Sequence, residues 1–113
     1  MEIHFKSKKL KKHCENPGEA QRIYGSEIGT KLTQRVRELE SAPNLAEIKN
    51  IPAARLHRLK GDRSNEFAVD LAHPFRLIFK PILESDANIN VLDSITIVRI
   101  EEVTDYHGKQ KRK

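Results

Sequence analysis

Hydrophobic positions change their period several times along the chain, and each change predicts a new element. Ile3 and Phe5 alternate with Glu2, His4 and Lys6, the period of two that a half-buried strand shows, so residues 2 to 6 are expected to open the fold as a strand. Leu10 and Cys14 then stand four apart among Lys8, Lys9, Lys11 and Lys12, which puts both on one face of a short helix that Asn16-Pro17-Gly18 ends. From Glu19 to Ala42 the period stays helical. Ala20, Ile23 and Tyr24 begin an apolar stripe that Ile28, Leu32, Val36 and Leu39 continue, with Lys31, Arg35, Arg37, Glu38 and Glu40 outside it. Gly25 and Gly29 each cost a helix about 1 kcal/mol relative to alanine, so a break near Gly25 into a helical hairpin is expected. Asn44 stands where it can cap a short turn through Ile48, and Ile51-Pro52 leads on to a sheet.

The second half returns to the period of two. Residues 55 to 76 read RLHRLKGDRSNEFAVDLAHPFR, two strands expected to join at a tight Gly61-Asp62 turn and to be followed by a turn at His73-Pro74. Phe67, Val69 and Leu71 alternate with Ala68 and Asp70, and Phe75, Leu77 and Phe79 with Arg76, Ile78 and Lys80, so one face is apolar and the other displays cations. Leu56 and Leu59 have opposite parity, which a bulge near Arg58 reconciles. Residues 81 to 93 are a long polar connection, a flexible excursion or an irregular hairpin, with no chemistry assigned. Ser94 to Val103 fills both parities, as a central strand covered on two sides does, and residues 108 to 113 read as a frayed basic tail. Strand, helical hairpin, then antiparallel strands is an α+β order, with helices on one face of the sheet and the other face open for binding. With 113 residues there is room for one core, so residues 1 to 113 are expected to form a single domain.

Charge narrows the partners. The formal charge of +5 favours a polyanion, nucleic acid first, with an anionic membrane or an acidic protein behind it. Cys14 is the one cysteine, which excludes an internal disulfide, and no Cys/His cluster, Walker loop, dinucleotide fingerprint or HExxH run is present. No cofactor and no metal are expected. Met1 to Leu10 lacks the apolar run of a secretory signal and no segment approaches the roughly 18 apolar residues of a membrane span, so a cytosolic protein away from membranes is expected.

Two clusters carry groups suited to phosphodiester cleavage: His57, Lys60, Arg63 and Arg76, and the Asp105-Tyr106-His107 run just past the last strand. RNA brings its own nucleophile, the 2′-hydroxyl. The protein must then supply a base near that hydroxyl, cations on the phosphate and an acid near the leaving oxygen. Imidazole fills either proton-transfer role, Lys60 and Arg76 hold the phosphate, Asp105 orients an imidazole or meets the ribose, and Tyr106 stacks on a base or donates a hydrogen bond. Every one of these residues also has an ordinary structural reading. A strand histidine is more often packed or exposed than catalytic; Arg76 can pair with Asp70 across the hairpin for ~0.2–1 kcal/mol; Tyr106 can cover the edge of the core while Asp105 caps a strand end; and the lysines at 8 to 12 can be a solvated helix face. His4, His13 and His73 are expected on the surface or in turns.

The runs RLHRLKGDR at 55 to 63, FAVDL at 67 to 71, PFRLIF at 74 to 79 and EEVTDYH at 101 to 107 together resemble the HigB-type toxins of the RelE/ParE superfamily. The first strand, the lysine-rich helix and the longer helix extend the likeness over nearly the whole chain. It implies a compact α+β domain, a helical hairpin packed on a twisted, mainly antiparallel sheet. It further implies a type II toxin–antitoxin toxin: an mRNA endonuclease that enters the ribosomal decoding site, contacts rRNA, cuts the message without metal, and is neutralised by a helix-turn-helix antitoxin. On that likeness His57, Lys60 and Arg76 are the strand-borne catalytic groups, Asp105, Tyr106 and His107 are the C-terminal catalytic triplet, and His57 or His107 is the general base. Lys8, Lys9, Lys12, Arg55, Arg58, Arg63 and His73 are candidate RNA contacts. Where such toxins often carry a basic residue before the PFR-like strand, this chain has Ala72-His73, so that contact is missing or is supplied by His73. A ParE-like toxin acting on DNA gyrase without catalysis and a basic ribosome-binding protein without activity are the alternatives. His57, Lys60 and the DYH run together favour the nuclease, because a pure binder has no need of proton-transfer groups.

Overall fold

The computed structural model describes residues 1 to 105, and the order of elements in it is strand, helices, then strands. β1 (Glu2–Phe5) leads into α1 (Lys8–Glu15), whose first turn is capped by the Ser7 hydroxyl accepting from Leu10 N at 3.1 Å. Asn16 closes α1 and caps α2 (Pro17–Tyr24), accepting from Glu19 N at 3.1 Å, with Pro17 at the position that needs no donor. Gly25, at φ +89, breaks the helical run where the pattern predicts, and α3 (Ser26–Ser41) turns back to form the hairpin. At Gly29 a Cβ would lie 2.6 Å from the backbone nitrogen of Gln21 and 2.7 Å from the Ala20 carbonyl, so α2 and α3 approach at a distance that only glycine permits.

Two 3₁₀ turns, Leu45–Asn50 and Pro52–Ala54, carry the chain from α3 to the sheet. Asn44 stands before the first of them, but its side chain makes no cap: the main-chain carbonyl of Asn44 accepts from Glu47 N instead, at 3.3 Å. β2 (His57–Arg58), β3 (Phe67–Asp70), β4 (Phe75–Pro81) and β5 (Ile97–Asp105) complete a five-stranded sheet of order β1-β5-β4-β3-β2. β1 runs parallel to β5 and every other pair is antiparallel, so β5 lies inside the sheet, as its apolar run predicts. Leu32, Val36 and Leu39 of α3, with Phe67, Val69, Leu77, Phe79, Val98 and Ile100 of the sheet, form one buried cluster.

Several expectations need correction. The 57–70 hairpin does not close through a two-residue turn. Leu59 N donates to the Glu66 carbonyl at 2.9 Å, and the intervening chain makes a 3₁₀ turn, Gly61–Arg63, with Gly61 alone at positive φ, +65. No bulge forms near Arg58, because β2 is two residues long and leaves Leu56 and Leu59 outside it; the register shift lies between Ile78 and Phe79, opposite Glu101. β5 begins at Ile97 and includes Asp105, so Asp105 ends the strand and does not follow it. The second face of the sheet is covered at its middle, where Ala68 and Ile78 are fully buried. Residues 81 to 93 make an irregular hairpin with an Asn88–Val91 bridge, fastened by Ser94 Oγ, which accepts from Asn88 N at 2.9 Å and donates to the Val91 carbonyl.

Arg35 and His13 are buried, against the pattern. His13 packs edge-on against Tyr24 and shares a 3.2 Å hydrogen bond with its hydroxyl, whereas Ile23, placed by its spacing in the apolar stripe, is 42% exposed. Among the described residues no helix is long and apolar enough to cross a membrane.

Beside them Cys14 is 2% exposed, and burial, aided by the Glu15 charge, pushes its thiol up from 9.0 to about 12. Burial raises the neighbouring Tyr24 phenol as well. A thiol that keeps its proton longer in the folded than in the unfolded chain contributes stability that is whole below pH 9 and is lost as the pH rises toward 12. Chemical denaturation of wild type across that window is therefore expected to show a steeper loss of stability than Cys14→Ala, and native wild type is expected to resist alkylation at neutral pH. Parallel pH curves for the two proteins, or rapid alkylation, would contradict the assignment.

Candidate active site

The short β2 and the turn after it build a hollow of about 320 Å³ lined by His57, Arg58, Leu59, Lys60, Arg63 and Arg76. Register explains the gathering. His57 pairs with Ala68, Ala68 with Ile78 and Ile78 with Glu102, so these four form a row across the sheet on the face away from the helices, and Arg76 stands two residues from Ile78 on that same face. Lys60 follows as the chain leaves β2, exposed, immediately before the Gly61–Arg63 turn. The four groups of the first predicted cluster, His57, Lys60, Arg63 and Arg76, thus share one concavity.

Their roles differ once partners are considered. Arg63 bonds Glu66 through Nε and Glu102 through Nη2, reaching from the turn across the covered face to β5. The hydrogen bond to Glu66, then that to Glu102, holds its guanidinium above its usual value. With two carboxylates on one cation, Arg63 is a strut between the loop and β5 and brings little net charge to the hollow. Arg58 is likewise engaged, donating to the Ser64 carbonyl and, at 2.7 Å, to Asn90 Oδ1. Arg55 holds both carboxylate oxygens of Asp70, at 2.7 and 3.1 Å. His57 is partly exposed, and its Nδ1 lies 2.8 Å from the Arg55 carbonyl.

The remaining candidates lie elsewhere. Lys8, Lys9 and Lys12 are exposed on α1, and none of them lines the His57 hollow. Lys9 borders a separate depression of about 530 Å³ with Lys6, His13, Tyr24 and Glu101. His73 is exposed in the β3–β4 turn, before a cis peptide bond to Pro74. Asp105 is 9% exposed and pairs in register with Phe75, one step out of phase with the Arg76–Thr104 pair. Tyr106, His107 and the 108–113 tail lie outside the described residues. A larger groove, about 750 Å³, runs along α2, α3 and the 45–51 segment past Thr33, Arg37, Ala42 and Ile51. It holds no histidine or lysine, so the smaller hollow is the better candidate for proton-transfer chemistry. The αL backbone at Arg55 and the Arg63–Glu102 bridge are the site features that the sequence did not signal.

A helical hairpin against a five-stranded mixed sheet is the RelE/ParE-like toxin architecture. It is shared by a solved structure, the YoeB/ParE toxin from Agrobacterium tumefaciens, with a TM-score of 0.54 over 95% of this chain and 100% of that chain at 10% identity. Residues 3–95 match the family described as RelE-like toxin of type II toxin-antitoxin system HigB, and the chain belongs to that family. It is therefore a type II toxin, and the family implies an antitoxin as its partner. The match starts within β1, runs through β4 with the His57 hollow, and ends before β5. A comparison with curated proteins returns no match.

Proposed function

We propose that this toxin is a ribosome-dependent mRNA endonuclease that uses the 2′-hydroxyl of the message as nucleophile and thereby stops translation in the cytoplasm. The observation that carries the reading is the meeting of His57, Lys60 and Arg76 in one hollow that solvent can reach. His57 takes the 2′-hydroxyl proton, the freed oxygen attacks the adjacent phosphorus, and Lys60 and Arg76 hold the non-bridging oxygens as their charge grows. Arg76 offers a planar fork and Lys60 a point charge, which suits one fixed and one adjustable contact. His107 gives a proton to the departing 5′-oxygen, leaving a 2′,3′-cyclic phosphate and a 5′-hydroxyl, and Tyr106 stacks on a base, while Asp105, buried on the opposite face of the sheet from Arg76, ends the strand that leads to them. With Arg58 and Arg63 engaged by groups of the protein itself, the toxin relies on the ribosome to splay and orient the message, and the exposed Lys8, Lys9 and Lys12 supply phosphate contacts to rRNA.

Primer extension on translated messages after induction tests the proposal. Cuts in register with codons are expected, together with poor cleavage of naked mRNA. A DNA-damage response without cuts would point to gyrase as target and overturn the reading. Growth arrest with neither would leave only a docking protein.

A further inference from the structure

We infer that Arg55 is a positioning residue of this site and that its main-chain carbonyl, not its cation, is what the chemistry uses; the inference rests on the nuclease reading above. Arg55 adopts φ 46 and ψ 54, the left-handed conformation, and it is the one residue other than glycine at positive φ among those described. A residue with a side chain pays roughly 1–2 kcal/mol to stand there, so the surroundings must hold it. They do so from two sides. Arg55 N donates to the Pro52 carbonyl at 3.0 Å, and its guanidinium grips the Asp70 carboxylate with two bonds. Asp70 and the 52–54 turn are in turn fixed from α3, where the buried Arg35 donates to the main-chain carbonyls of Asp70 at 2.7 Å and Ala53 at 3.1 Å.

The left-handed step decides where the Arg55 carbonyl points, and it receives His57 Nδ1 at 2.8 Å. A carbonyl oxygen has no proton to give, so the hydrogen of neutral His57 sits on Nδ1 and the lone pair on Nε2. Nε2, across the ring from the carbonyl, is then the atom that takes the 2′-hydroxyl proton. A wrong tautomer would present N–H where a base is required. The Arg55 guanidinium, taken by Asp70, has the task of clamping the backbone, which replaces the RNA contact expected of it.

Histidine-labelled full-length toxin, read by two-bond nitrogen–proton correlation spectra at a pH where the imidazole is neutral, tests the assignment beside cleavage of ribosome-bound message. Wild type is expected to show His57 with its proton on Nδ1. Arg55→Gly, which tolerates the left-handed step, is expected to keep that tautomer and most of the activity. Arg55→Val, which disfavours the step, is expected to mix the tautomers and lose activity about tenfold or more. Should Arg55→Val fail to fold, Asp70→Ala, which releases the clamp, carries the same expectation. A wild-type proton on Nε2, or an unchanged tautomer in both destabilised variants, overturns the role of Arg55 while leaving the nuclease intact. No codon-registered cleavage of ribosome-bound message by wild type would instead defeat the nuclease reading itself, whatever the tautomer.

Discussion

His57→Ala is expected to lower cleavage of ribosome-bound message by about 10²- to 10⁴-fold, the usual contribution of a positioned proton-transfer group. Arg76→Ala is expected to follow at about 10²- to 10³-fold, since in the proposed mechanism it removes a donor to the charge that develops on phosphate. Neither loss should come from unfolding. His57 is partly exposed on a strand of two residues, and its truncation opens no cavity in the cluster formed by Leu32, Leu39, Phe79 and Ile100. Thermal unfolding of His57→Ala should therefore stay close to that of wild type, and binding to the antitoxin should survive. Growth arrest and single-turnover cleavage read the effect directly. A His57→Ala protein that cuts within about threefold of wild type would leave no room for a general base at this position, because proton transfer contributes far more than that.

Much of this was legible in the sequence, for reasons that differ from element to element. The helical hairpin was legible because its punctuation is local: Asn16 and Pro17 start α2, and Gly25 supplies the positive φ between the helices. The clustering of His57, Lys60 and Arg76 was legible because a strand, a turn and the strand beyond leave few places for those side chains to go. Arg35 was not, since a charged residue beside an apolar stripe reads as solvent-facing, and only the carbonyls of Ala53 and Asp70, 18 and 35 residues away, reveal why it turns inward. His13 deceived for the same reason, its partner Tyr24 standing on another helix. Arg55 left no trace at all: nothing in RLHRLKGDR marks an arginine for the left-handed region, where glycine or asparagine is the usual signal. Arg63 looked like an RNA contact because Glu102, which engages it, is 39 residues distant.

Arg35→Ala is expected to cost about 3–5 kcal/mol of folding stability, the range for losing one partner of a buried charged network. Its side chain is 3% exposed, and each of its three guanidinium nitrogens donates: Nε to the Asp70 carbonyl, Nη1 to both oxygens of Glu38 at 3.0 and 3.2 Å, and Nη2 to the Ala53 carbonyl. Truncation leaves the Glu38 carboxylate and two main-chain carbonyls without those donors, and each such loss is expensive where water is scarce. It also cuts the tie between α3 and the end of β3. Against a total stability of about 5–15 kcal/mol for a domain of this kind, that is a large share. Arg35→Lys should recover only part of the loss, because one ammonium on a flexible stem cannot reach three acceptors spread around a planar fork. Arg37→Ala, at an exposed position on the same helix, is the control and should change stability by about 0.5 kcal/mol or less. Urea midpoints rank the three variants. If Arg35→Ala and Arg37→Ala unfold together, the α3 tie carries no weight, and the left-handed step at Arg55 must be held by Asp70 and the Pro52 carbonyl without help from α3.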